Sequence, residues 1–187
     1  MIAYGGRGFL EKDDPPVTTA IEGNMNIFIL ENHPVDAAQM YCDKHVPKMV
    51  LELGQMLSTA HRLLGDYTWD GMYKEAYVNH PCTKWVRESS ANYSWAASHF
   101  QELALQYELR FGKKHKTWLD HGIDLWRTPY FLSWKSLEEK KGLTPFAQAM
   151  PDEYKNECAV TAYRTYYKND KKRFARWERG VNPPYWW

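Results

Sequence analysis

Apolar positions in the first third of the chain recur at a helical interval. Val46, Met49, Val50, Leu53, Leu57, Ala60 and Leu64 follow the i, i+3, i+4, i+7 rhythm of a buried helix face. His33-Pro34-Val35-Asp36 supplies a start, because proline suits a first helical turn, and Gly65 supplies a stop. Pro47 interrupts the pattern, and a proline inside a helix costs about 3 kcal/mol. The pattern therefore predicts two helices, or one bent near Asp43 to Val46. A second stretch places Trp85, Ser89, Tyr93, Ala96, Phe100, Leu103, Tyr107 and Phe111 along one face. Asn79-His80-Pro81 opens it and Gly112 closes it, which makes this the clearest helix of the chain.

The remaining segments carry weaker patterns. Ile27-Phe28-Ile29-Leu30 is a short apolar run, read as a short strand or a buried extended arm. Residues 65–81 read as loop. Residues 113–150 mix short helical pieces with turns, and a last helix starts at Pro151 or Asp152 and passes Cys158, Ala162 and Tyr166 toward Trp177. Gly180 to Trp187 is an aromatic, proline-containing tail. Residues 1–24 hold glycines, prolines and charges without periodicity, so they read as an irregular appendage, with Met25 as an alternative start. The expected fold is all-α: one mainly helical domain over residues 25–187, with the short strand or arm at its beginning.

Composition narrows the class. The chain has 187 residues, 44% hydrophobic and 25% charged, which suits one globular domain. No apolar run approaches the roughly 20 residues of a membrane span, and residues 1–24 lack the apolar core of a signal peptide, so a cytoplasmic protein is expected. Three scattered cysteines, Cys42, Cys82 and Cys158, form no C-x-x-C pair and read as reduced thiols, two or three of them buried. The net charge is only +1, but it is unevenly spread. Arg110, Lys113, Lys114 and Lys116 form one basic cluster, and Lys168, Lys171, Lys172, Arg173, Arg176 and Arg179 another. Such clusters either bind phosphate or form solvated helix faces. Aromatic content, at 16%, is the compositional outlier; most of these rings are expected in the core, with Trp69, Tyr73, Trp186 and Trp187 as candidates for exposure, and Tyr and Trp also stack on bases.

One constellation suits chemistry. His45, Lys48, Glu52, Gln55 and Thr59 are spaced three, four, three and four apart, so a helix carries them as one polar stripe beside the apolar face. In solvent, Lys48 and Glu52 are a helical ion pair worth a few tenths of a kcal/mol. In a cleft, His45 exchanges protons near neutral pH and Glu52 acts as a base or stabilises a developing cation. The long helix carries a second polar stripe, Glu88, Asn92, Trp95, His99 and Glu102; His80 at its start and Arg87 beside it are further anion-binding candidates, with capping or packing as the alternative for His80. His115, Asp120, His121 and Asp124 match no metal-ligand spacing, and the sequence calls for no metal or cofactor. There is no P-loop, G-x-G-x-x-G or G-x-S-x-G.

Two resemblances add to this reading. Asn26 to Leu30, Cys42-Asp43-Lys44-His45 with Lys48, Met49 and Glu52, Leu57 to Arg62, Asn79-His80-Pro81 with Trp85, Arg87, Ser89, Asn92, Tyr93 and Trp95, and Tyr107 to Lys116 resemble a phage-borne protein family without a firm activity. The similarity resumes at Leu143 to Phe146, Ala149 to Pro151 and Ala162 to Tyr167. The early helix also resembles the phage pyrimidine-dimer DNA glycosylase, or endonuclease V, family, which carries Asp-x-His, six residues and a Glu on a helix after an N-terminal nucleophile. Asp43, His45 and Glu52 keep that spacing. The resemblance implies glycosylase and abasic-site lyase chemistry, with an N-terminal amine as nucleophile and the acidic role on Glu52. His45 then orients the sugar or a phosphate. The chain departs from that pattern in placing 24 residues before Met25, with Lys44 and Lys48 as substitute amines.

The combined expectation is a DNA-directed base-processing enzyme of a phage-infected host cytoplasm, with DNA as its partner. Glu52, His45 and Asp43 are the catalytic candidates. Lys48, His80, Arg87, Arg110, Lys113, Lys114, Lys116, Lys172 and Arg173 are the nucleic-acid candidates. The alternatives are a non-catalytic nucleic-acid-binding module and a phage protein that binds a protein partner through its aromatic tail.

Overall fold

The computed structural model describes residues 25–64 and 67–187. The appendage expected over residues 1–24 and the helix stop expected at Gly65 lie outside the described residues. Seven α-helices and one 3-10 turn make up the regular structure, and no strand occurs among the described residues. The all-α expectation holds. Ile27 to Leu30 resolves as the extended arm: it forms no ladder, and all four residues are buried.

The first predicted helical stretch divides into α1 (Pro34–Gln39) and α2 (His45–Leu63). Pro47 lies in the first turn of α2, where its missing N–H would have had no helical partner, so it opens the helix without kinking it. The second stretch also divides. α3 (Pro81–Val86) starts where predicted, but Ser89 then caps a new helix, α4 (Ser90–Phe111), by accepting from the Asn92 N–H at 3.1 Å. Gly112 ends α4 at φ +72°, a left-handed conformation that glycine adopts without penalty.

α2 and α4 form the central pair, with α1 packed on α4 and α3 and α5 (Lys116–Leu125) packed on α2. Gly54 permits the close approach of α5, since a Cβ there would come within 2.4 Å of the Thr117 methyl. α6 (Tyr130–Glu138) completes the 113–150 region. The last helix begins later than predicted: a 3-10 turn at Asp152–Tyr154 precedes α7 (Ala159–Asp170). From α7 the chain returns over the α1–α2 corner. Arg164 donates to the Leu30 carbonyl at 2.9 Å, and Trp177 Nε1 donates to the Met40 carbonyl at 3.2 Å. The arm is thus held between α2 on one side and α7 on the other.

Candidate active site on the second helix

α2 carries the polar stripe inward. His45 is 4% exposed, Glu52 9% and Thr59 fully buried, while only Lys48 reaches well into solvent. The solvated-face alternative therefore does not describe this helix. Glu52 meets the extended arm: the backbone N–H of Asn26 donates to Oε2 at 3.2 Å, and Lys48 Nζ lies 3.3 Å from Oε1. Burial raises the Glu52 pKa, while Lys48 and the Asn26 amide, which favour the carboxylate, hold it back. The carboxyl group is thus poorly hydrated and faces a backbone nitrogen of the arm.

His45 occupies a different setting. Its Nδ1 lies 2.7 Å from the Tyr167 hydroxyl, and its ring stacks on Phe28 with centroids 4.8 Å apart and planes at 11°. Tyr167 and Phe174 approach it edge-on. Burial lowers its pKa well below the usual histidine range, and Lys48, Lys171 and Lys44 push in the same direction. The imidazole is therefore neutral at pH 7, and titration near neutral pH, expected from sequence, is not the behaviour this environment produces.

Asp43 is engaged by two partners from elsewhere in the fold. Its Oδ1 accepts from Arg110 Nη1 at 3.2 Å, and its Oδ2 accepts from the Glu178 N–H at 2.7 Å. The Arg110 side chain is fully buried and also donates to the carbonyls of Tyr41 and Gln39 and to Gln106 Oε1. This corrects the expectation that Arg110 meets DNA. A guanidinium fully engaged inside the protein has no face left for a phosphate. His80 takes its alternative role, capping α3 by accepting the Cys82 N–H at 3.2 Å. Arg87 turns inward to the Val78 carbonyl at 2.7 Å.

The remaining cationic candidates lie at the surface. Lys113, Lys114, Lys172 and Arg173 are exposed, and Lys116 pairs with Asp120 at 2.7 Å. Around the stripe, cations sit on rings: Lys44 lies 4.7 Å from the Phe174 centroid and Lys171 lies 4.5 Å from that of Tyr166. A cleft of about 390 Å³ opens beside them, lined by Asp43, Lys44, Phe174, Arg176, Glu178 and Arg179. Basic side chains interleaved with aromatic faces suit a nucleic-acid backbone and an unstacked base.

Sequence reasoning missed the backbone nitrogen of Asn26 and the rings of Phe28, Tyr163 and Tyr167. The apolar arm was visible as a pattern, but nothing in its spacing says which residue of α2 it meets. A family model described as pyrimidine dimer DNA glycosylase matches residues 25–120 of the 187. No curated protein and no solved structure matches the chain.

Proposed function

The chain belongs to the pyrimidine dimer DNA glycosylase family, and we propose that Glu52 and the terminal amine of a chain beginning at Met25 or Asn26 are the reacting pair of a glycosylase and abasic-site lyase acting on DNA. The observation that carries this reading is the 3.2 Å contact between the Asn26 nitrogen and the Glu52 carboxylate. That contact lies at the start of the family match, which begins at residue 25. A chain that begins at Asn26 presents its α-amine at this point, and one that begins at Met25 presents it one residue away. An α-amine has a pKa near 8 against about 10.4 for lysine, so roughly a tenth is free base at pH 7.

The step runs as follows. The amine lone pair forms a bond to C1′ of the deoxyribose while the C1′–base bond breaks, and the base leaves with that electron pair and takes up a proton. The nitrogen loses a proton. Its remaining lone pair then opens the sugar ring, O4′ takes a proton, and a protonated imine results. Ionised Glu52 stabilises that positive charge without a covalent role of its own. Neutral His45, stacked on Phe28, presents an uncharged hydrogen-bonding edge to the sugar or phosphate. The backbone on either side lies along the exposed cations Lys113 to Lys116 and Lys168 to Arg176.

The test is a trapped adduct. Duplex oligonucleotides carrying one pyrimidine dimer or one abasic site are incubated with the protein, whose N-terminus has been read by mass spectrometry, and borohydride is added. Hydride reduces the imine to a permanent secondary amine, and peptide mapping then identifies the nitrogen. An adduct on the first residue of a chain starting at Met25 or Asn26 is expected. Salt-sensitive DNA binding with no adduct on either substrate leaves a binding module instead.

A further inference from the structure

The side chain of Asn26 is held by groups far away in sequence. Its Oδ1 accepts from the Ile27 N–H at 2.8 Å and from the Cys82 thiol at 3.5 Å, and shares the single proton of the Tyr163 hydroxyl, 3.0 Å away, with the Ala147 carbonyl. Its Nδ2 donates to the Ala149 carbonyl at 2.7 Å. The Tyr163 hydroxyl in turn accepts the Ala149 N–H at 3.1 Å and lies 2.8 Å from the Ala147 carbonyl. Donors therefore surround one end of the carboxamide and an acceptor faces the other, which fixes its orientation and excludes a carboxylate at this position. Asn26, Cys82 and Tyr163 are all buried, so water does not compete for these groups.

We propose that Tyr163 is a positioning residue: through the Asn26 carboxamide, and with Cys82 and the 147–149 backbone, it aims the residue 26 nitrogen at Glu52. The proposal rests on the reading of that nitrogen and Glu52 as the reacting pair. It extends the active unit beyond the family match, which ends at residue 120, because Ala147, Ala149 and Tyr163 all lie after it. The physical reason is reach. Residue 26 sits in an arm with no ladder and no helix of its own, so its backbone is set by side-chain contacts alone. A buried network in which each polar group is engaged defines one geometry, where an apolar contact would leave several.

The experiment compares Tyr163→Phe with the unaltered chain, using Tyr93→Phe as a control. Tyr93 is another buried tyrosine, whose hydroxyl donates to the Leu125 carbonyl at 2.9 Å, away from Glu52. In a chain that begins at or before Met25, where residue 26 carries an amide, Tyr163→Phe is expected to speed hydrogen exchange of that amide at least tenfold. It should move the Glu52 carboxyl titration, followed by carbon NMR, to higher pH, because the amide that favours the carboxylate is loosened. Single-turnover adduct formation should fall at least tenfold while DNA affinity stays within twofold. Exchange and titration no different from the Tyr93→Phe control overturn the proposal, as does an unchanged adduct rate. Should Tyr163→Phe fail to fold, Cys82→Ala removes a second donor from the same oxygen and must shift exchange and titration in the same direction. Absence of any adduct with a chain shown by mass spectrometry to begin at Met25 or Asn26 removes the catalytic reading of the reacting pair, while exchange and titration still decide whether Tyr163 anchors residue 26.

Discussion

Asp43 and Glu52 stand nine positions apart, and each is 9% exposed. By burial they are equivalent, but their partners differ in kind. Both Asp43 oxygens are engaged by rigid donors, the buried Arg110 guanidinium and the Glu178 backbone, and these tie α4 and the C-terminal segment to the corner before α2. Glu52 has one flexible, half-exposed lysine and one backbone nitrogen of an extended arm. No charge is buried with it, and its pKa is raised. A buried carboxylate whose partners all belong to the framework stabilises the fold. One whose partners are a half-exposed lysine and a single backbone amide is tied to less of the framework.

The sharpest way to break that contrast is Glu52→Gln. Removing the charge while keeping the shape is expected to lower adduct formation by at least about a thousandfold, equivalent to roughly 4 kcal/mol of transition-state stabilisation. DNA affinity should stay within about threefold, and the melting temperature should be unchanged or higher, because a neutral amide carries no cost of burying charge. A variant that loses stability and keeps its turnover would place Glu52 with the framework.

Asp43→Ala should show the opposite pattern. It leaves the fully buried Arg110 without its counter-ion, a change worth about 3 kcal/mol. The low end of the range applies because the carbonyls of Tyr41 and Gln39 and the Gln106 amide still accept from the guanidinium. Calorimetry should record a melting temperature lower by about 6–10 °C. Adduct formation per folded molecule should remain within a few fold of the unaltered chain. Lost activity at unchanged stability would move Asp43 into the chemistry.

The same contrast explains what the sequence discloses. The helices of the central pair were legible because apolar spacing and Pro/Gly punctuation act locally, and α2 and α4 follow from them directly. The break at Ser89 was not read, because a capping serine inside an apolar stripe looks like any small residue until its side chain is seen on the Asn92 N–H. The Asp43, His45, Glu52 spacing was legible as a resemblance, yet their separate roles were not. Those roles depend on Arg110, Tyr167 and Asn26, which approach from 67, 122 and 26 positions away. Arg110 shows the limit most plainly. In sequence it belongs to a basic cluster with Lys113, Lys114 and Lys116, and the Gly112 stop of α4 separates the surface cations from the buried one.

Lys48→Met gives the smallest effect and the finest discrimination. Lys48 is about half exposed, and an ion pair in that setting is worth no more than about 1 kcal/mol. Its loss removes an interaction that holds the Glu52 pKa down, so the carboxyl must titrate at higher pH in the variant. If Glu52 acts when ionised, as proposed, the acid limb of the pH–rate profile should move upward. The loss should be largest on the acid side and should shrink as pH rises. Stability should change by a few tenths of a kcal/mol. The variant also separates the two amines near Glu52. Adduct formation that persists at pH 8 assigns the nucleophile to the arm. Adduct formation abolished at every pH assigns it to Lys48, and the contrast between the two carboxylates then turns on a lysine one helical turn from Glu52.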